Sequence, residues 1–149
     1  MKVYRITLAK FSEDLKASGR AARWNSNDIQ MIYTASSRSL ACLENVVHRN
    51  QLGLSALFKV MIIEIPDAIK TKTIDINLLH NNWEDYNNII LTQKIGDRWV
   101  SDRETAVLKV PSSIIHMEYS YLINPLHPDF KKIKLLQTEP FIFDERIKR

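Results

Sequence analysis

Residues 29–48 read IQMIYTASSRSLACLENVVH, and where this stretch divides decides how the rest of the chain is read. Its first seven residues, rich in β-branched and aromatic side chains, predict a strand. The serine pair that follows marks a helix start, since Ser36 or Ser37 can cap the free N–H groups of a helix beginning near Ser37. Within that helix Leu40, Leu43 and Val47 fall along one apolar stripe, and the helix is expected to end between His48 and Gly53. Glu44 follows Leu40 by four residues and Leu43 by one, so it projects from the margin of the stripe. Asn45 and Arg49, farther round, occupy the face expected to be solvated. A carboxylate beside a buried face is either an ion-paired edge residue or a functional group, and these residues alone leave both readings open.

Outward from this block the chain is rich in strand candidates. VYRIT (3–7) reads as a short strand, followed by the polar connector SEDLKASGRAA (12–22). ALFKVMIIEI (56–65) is a long strand candidate stopped by Pro66. TKTIDINLL (71–79) follows, and the polar segment HNNWEDYNN (80–88) has no clear state. IGDRWVSDRET (95–105) reads as a loop leading into the strand AVLKV (106–110), which Pro111 closes. In IIHMEYSYLIN (114–124), Ile115, Met117, Tyr119, Tyr121 and Ile123 alternate with His116, Glu118 and Ser120, as in a half-buried strand. NPLHPDF (124–130) is a turn and KIKLLQTEPFIF (132–143) supplies the last strand material. Strands outnumber helices and do not alternate with them regularly, so the expected class is α+β with mixed, largely antiparallel sheets. No repeat, low-complexity tract or Gly/Ser linker divides residues 1–149, which read as one domain.

Composition narrows the function classes. The chain has 149 residues, 45% hydrophobic and 26% charged, enough to bury a core without disulfides or metals. Cys42 is the single cysteine, and the four histidines at 48, 80, 116 and 127 form no HxxxH or HExxH spacing, so no metal site is expected. The N-terminal MKVYRITLAKF is charge-interrupted and unlike a signal peptide. No apolar run approaches the roughly 18 residues of a membrane span, so a soluble, cytoplasmic setting is the default expectation. Net charge is +4 and the isoelectric point about 9.2, compatible with a nucleotide, a nucleic acid or an acidic protein as partner. The basic residues are mostly dispersed, and no aromatic–basic RNA motif is present. A nucleic-acid-binding module therefore ranks well below an enzyme.

Several short stretches place polar groups where packing alone would not. ARWNS sets Arg23 beside Trp24, and YTASS sets Tyr33 and small hydroxyls at a strand end, where free helix N–H groups could receive an anion. VPSS places Ser112 after a strand, and LINPLHP places Asn124 after another. Singly, each has an ordinary reading as an ion-pair partner, a core aromatic or a turn residue. Jointly, YRI, GRAARWN, IYTASSRSLACLE, VPSSI and LINPLHPDF, in this order from Tyr4 to Phe130, resemble the RES-domain family of toxins of bacterial toxin–antitoxin modules. That family is named for an arginine, a glutamate and a serine, which map to Arg23, Glu44 and Ser112, with Arg5 as a second arginine. Its GD-W motif is matched by Gly96, Asp97 and Trp99. Where members carry a glycine pair before RWN, this chain has Ala21 and Ala22.

The resemblance implies a fold similar to ADP-ribosyltransferases and an activity that depletes NAD by cleaving the nicotinamide–ribose bond. It implies Glu44 beside the ribose, Arg23 and Arg5 at the pyrophosphate or orienting Glu44, and Tyr33 against nicotinamide. Ser36, Ser112 and the weaker candidate Asn124 complete the NAD-binding set. NAD is then a substrate, with no metal or other cofactor. The implied partner is a cognate Xre-like helix-turn-helix antitoxin, which would bind the operator in place of this chain; a homo-oligomer within that complex is allowed. Transfer of ADP-ribose to a protein or to phosphate would use the same fold, and the sequence does not choose between transfer and hydrolysis.

Overall fold

In the computed structural model, which describes residues 1–48 and 57–147, the opening stretch divides as expected. Strand β2 (Ile32–Ala35) runs into helix α1 (Arg38–His48). Ser37 starts the helix: its hydroxyl oxygen accepts the Leu40 amide at 3.1 Å, and its carbonyl accepts the Ala41 amide at 3.0 Å.

Around β2 the chain builds one seven-stranded sheet. Its strands are β1 (Lys2–Leu8), β2, β3 (Phe58–Glu64), β4 (Thr71–Thr73), β5 (Val107–Pro111), β6 (Tyr119–Ile123) and β7 (Lys134–Phe141), in the order β4-β5-β6-β2-β1-β3-β7. Every pairing is antiparallel except β4 with β5. The α+β class with a largely antiparallel sheet is therefore observed.

The register separates two faces. Tyr33 lies opposite Leu122, which lies opposite Leu108, so these three share one face. On that face a cluster of Trp24, Met31, Trp83, Trp99, Val100, Leu108, Val110 and Leu122 packs under a second helix, α2 (Ile89–Asp102). Ala35, two residues after Tyr33, joins Ile6, Val60, Leu40, Ala41 and Val46 under α1. The opposite face buries Val3, Ile32, Met61, Ile63, Val107 and Ile123 beneath irregular segments carrying Leu15, Ala17, Ile69, Phe130 and Ile133. Both helices thus lie on the Tyr33 side.

Four expectations need correction. IGDRWVSDRET is not a loop but mostly helix, the second half of α2. Its buried positions are Thr92, Gly96, Trp99 and Val100. Their spacing is helical, but a threonine and a glycine stand where an apolar stripe would show large side chains. The strand in 114–124 begins only at Tyr119, because Met117 adopts φ 67°, outside the extended region, and the preceding residues form a turn. Ile115 consequently packs with the α1 cluster, while Met117 is exposed.

The stripe of α1 is also rotated from the one expected. Val46 is buried and Val47 is 53% exposed. Asn45 turns inward and donates to the Ile6 carbonyl at 3.1 Å, because the helix lies directly over β1. Arg49 and the expected helix end beyond His48 lie outside the described residues.

Candidate active site

The Tyr33 side of the sheet carries the candidate chemistry, and α2 arranges it. The segment leading to Arg23 has no regular structure of its own, and it is held by side chains of α2. Thr92 Oγ1 donates to the Arg23 carbonyl at 2.5 Å, and Gln93 Nε2 donates to the Ala22 carbonyl at 3.0 Å. Asp97 accepts both the Ser26 amide at 2.9 Å and the Ser26 hydroxyl at 2.6 Å. Gly96 lets the two backbones touch, since a Cβ there would overlap the Trp24 carbonyl oxygen. Gly96 and Asp97 of the GD-W motif, with Thr92 and Gln93, thus clamp the RWN segment.

Asn25 completes the clamp. It is 1% exposed and donates to the carbonyls of Arg20, Ser26 and Ile29. Its Oδ1 accepts from the Tyr33 hydroxyl at 2.6 Å, and that hydroxyl accepts the Trp24 amide at 3.0 Å. Burial pushes the Tyr33 hydroxyl far above its ordinary value of 10.0. The bond from the Trp24 amide opposes this rise; the negative charges of Asp97 and Glu44 add to it, and Arg23 pulls it back. Tyr33 is therefore a neutral phenol that joins β2 to the RWN segment.

Glu44 comes to this place from α1. It follows Ala41 by three residues and Leu40 by four, both buried against the sheet, so it lies one turn along the sheet-facing side. Its side chain is 28% exposed, and Oε2 meets His48 Nε2 at 3.3 Å. Arg23 is half-buried and spends one nitrogen on structure: Nη1 donates to the Trp83 carbonyl at 3.0 Å and to the Asp85 carbonyl at 3.5 Å. A guanidinium has five N–H donors, and among the described residues no hydrogen bond engages Nε or Nη2.

Ser112 follows β5 on the face of Leu108 and Val110 and is buried. Its Oγ accepts the amides of Ile114 and Ile115, each at 3.1 Å, which leaves the hydroxyl proton to be donated. It opens onto a cleft of about 230 Å³ whose walls include Glu84, Ser113, His116, Glu118 and Tyr119. Ser36 is exposed beside the start of α1.

Two of the seven candidates lie elsewhere. Arg5 pairs in register with Met61 and so shares its face, opposite the one covered by α1. There its Nη1 donates to the Lys16 carbonyl at 2.8 Å, and burial lowers its pKa. The expectation that Arg5 stands near Arg23 and Glu44 is corrected by this alternation: Tyr4 points toward α1 and Arg5 away from it. Asn124 is fully buried at the far end of β6, with Nδ2 donating to the Val100 carbonyl at 3.2 Å and Oδ1 accepting the Leu126 amide at 2.9 Å. Its amide ties the end of α2 to the turn after β6. Conversely, Asn25 and Asp97 hold the site together although nothing in their residue types marks them in the sequence beyond their places in the RWN and GD-W motifs.

Comparison with known proteins identifies the family and the fold. The RES domain model matches residues 2–144. The chain is 36% identical over 143 residues to the Prs ADP-ribosylating toxin of Sphingobium sp. (strain YBL2), covering 93% of this chain and 89% of that protein. It is 32% identical over 158 residues to Toxin Res of Yersinia enterocolitica, covering 99% of this chain and all of the relative. Among solved structures, a chain of the M. tuberculosis MbcT–MbcA toxin–antitoxin complex has the same fold, with a TM-score of 0.75 over 95% of this chain and 84% of that one, at 18% identity. With the family model spanning the sheet, both helices and the clamp, this chain belongs to the RES domain family.

Proposed function

We propose that this chain is a toxin of a toxin–antitoxin module and that it cleaves the nicotinamide–ribose bond of NAD. The observation that carries the reading is that α1, which bears Glu44, and the RWN segment, which bears Arg23 and is anchored by the Tyr33 hydroxyl, lie on one face of the RES fold. When nicotinamide departs as a neutral molecule, positive charge develops on the ribose. The Glu44 carboxylate, away from bulk water on one side, stabilises that charge and holds a ribose hydroxyl. The free edge of the Arg23 guanidinium matches phosphate oxygens. The neutral Tyr33 ring lines the nicotinamide pocket, the Ser112 hydroxyl donates to ribose or phosphate, and Ser36 meets a phosphate at the start of α1.

NAD is the substrate in this reading, and no metal or further cofactor is invoked. The relatives named as toxins and the toxin–antitoxin complex sharing the fold support an antitoxin partner for this chain. We assign that antitoxin to the Xre-like helix-turn-helix type, the setting to the cytoplasm where NAD is plentiful, and operator binding to the antitoxin.

A second reading, transfer of ADP-ribose to a protein, is favoured by the relative named Prs ADP-ribosylating toxin. One experiment addresses both. Purified protein is incubated with NAD labelled in the adenylate, with and without a bacterial lysate, and nicotinamide release and labelled products are followed for wild type and Glu44→Gln. Free ADP-ribose with unlabelled protein supports hydrolysis, and label on a protein band supports transfer. Release undiminished in Glu44→Gln would remove Glu44 from its role, and no release by wild type in either condition would overturn the activity.

A further inference from the structure

Segment 80–88 contributes to the cleft beside Ser112, and its central residues are fixed in an uneven way. Trp83 is buried against Trp24, with ring centroids 5.9 Å apart, and its carbonyl accepts from Arg23 Nη1. Asp85 is fixed as well: its carbonyl also accepts from Arg23, and its Oδ1 accepts the Asn87 amide at 2.9 Å. Glu84, between them, is exposed and lines the cleft with Ser112, and among the described residues no hydrogen bond or ion pair engages its carboxylate. Two committed neighbours thus present one uncommitted carboxylate. His116 and Glu118 reach the same cleft from the turn after Ser112, but only the Glu84 turn is tied to Arg23.

We propose that Glu84 is the acceptor-side carboxylate of this site, the general base for the nucleophile that attacks the ribosyl C1′. The proposal rests on the NAD-cleaving reading and divides the work between two carboxylates. Glu44 stabilises the ribose as the C1′–N bond breaks and its electron pair leaves with nicotinamide. As that bond breaks, the oxygen of water, or of a nucleophilic acceptor side chain, bonds to C1′ in the same step, and its proton passes to the Glu84 carboxylate and on to solvent, so that nicotinamide departure depends on the base. Arg23 links the two halves, holding the Glu84 turn with Nη1 while Nε and Nη2 serve the substrate. Being exposed and unpartnered, Glu84 can be replaced without a loss of packing.

The test is chemical rescue. Nicotinamide release from NAD is measured for wild type, Glu84→Ala and Glu44→Ala, each with and without sodium azide, an anion that attacks without losing a proton. Loss of a general base is expected to slow Glu84→Ala ~10²- to 10⁴-fold in water. Azide is expected to restore at least about tenfold of that loss, with ADP-ribosyl azide as product, and to leave Glu44→Ala slow. Wild-type rates in Glu84→Ala, or a loss that azide does not repair in a variant with unchanged near-UV circular dichroism, would overturn the assignment while leaving NAD cleavage intact. Absence of nicotinamide release from wild type would instead overturn the reading beneath it and the proposal together.

Discussion

The Tyr33 hydroxyl donates to Asn25 Oδ1 over 2.6 Å, which makes a strand residue the anchor of the loop that carries Arg23. Tyr33→Phe keeps the ring but leaves Asn25, 1% exposed, with an unpaired oxygen, and the Trp24 amide without its acceptor. A stability loss of about 1–3 kcal/mol is expected in urea denaturation. Because burial raises the Tyr33 pKa from 10.0, the unfolded chain releases this proton first as the solution becomes alkaline. The phenol's contribution is therefore present below pH 10 and declines as pH rises, with a slope of at most about 1.4 kcal/mol per pH unit. Wild type should lose more stability than Tyr33→Phe between pH 9 and 11.5, and parallel curves would contradict this.

Gly96 is expected to tolerate no side chain. The Gly96→Ala methyl group would overlap the Trp24 carbonyl oxygen, which is backbone and cannot swing aside. Either α2 or the RWN segment must retreat, so a loss of about 3 kcal/mol or more is expected in thermal or urea melts, beyond the usual overpacking range. Activity should fall as well, because Arg23 would shift with the segment. A near-normal melting curve would show that the approach is looser than the structure indicates.

The two arginines should separate cleanly by phenotype. Arg5→Met removes one hydrogen bond, to Lys16, on the face opposite Glu44. It is expected to cost about 1 kcal/mol of stability while leaving kcat/KM of the folded protein unchanged. Arg23→Lys has one nitrogen where Arg23 uses Nη1 to hold two carbonyls, so it cannot hold the 83–85 turn and meet a phosphate together. A rise in KM for NAD of at least about tenfold, measured by nicotinamide release, is expected. Equal kinetic effects for the two variants would place Arg5 back at the substrate.

Asp97 and Ser26 should behave as one unit. The carboxylate accepts both the amide and the hydroxyl of Ser26, so removing either partner breaks a charge-assisted contact. In a double-mutant cycle of Asp97→Ala and Ser26→Ala, a coupling energy of about 0.5–3 kcal/mol is expected from urea melts. Additive losses would mean that the clamp rests on Thr92, Gln93, Gly96 and Asn25 without this pair.

What could be read from the residues themselves was local. β-Branched runs marked β1, β2, β3 and β5, the serine pair marked the start of α1, and the excess of strands gave the α+β class. These signals depend on propensities and caps that act within a few residues. Helix α2 is not legible in the sequence because its buried stripe is made of Thr92, Gly96, Trp99 and Val100. Small and polar residues there serve contact with another backbone, and hydrophobic periodicity does not register that. The 114–118 turn is not legible because alternation continues through it in sequence, whereas Met117 breaks it in φ.

The candidate site divides in the same way. Short motifs in the sequence were enough to bring Arg23, Tyr33, Glu44 and Ser112 under suspicion, because their residue types and order carry chemistry that packing does not require. Which of the candidates share a face was decided only by the folded sheet. A shift of one residue along β1 separates Tyr4 from Arg5 by the thickness of the sheet, and no local pattern reports where the helices will lie. The tertiary structure also set the places of Asn25, Asp97 and the 83–85 turn, which depend on α2 reaching across to the RWN segment and on Arg23 reaching across to that turn. Those contacts span about sixty to seventy residues of chain, so no local pattern in the sequence reports them.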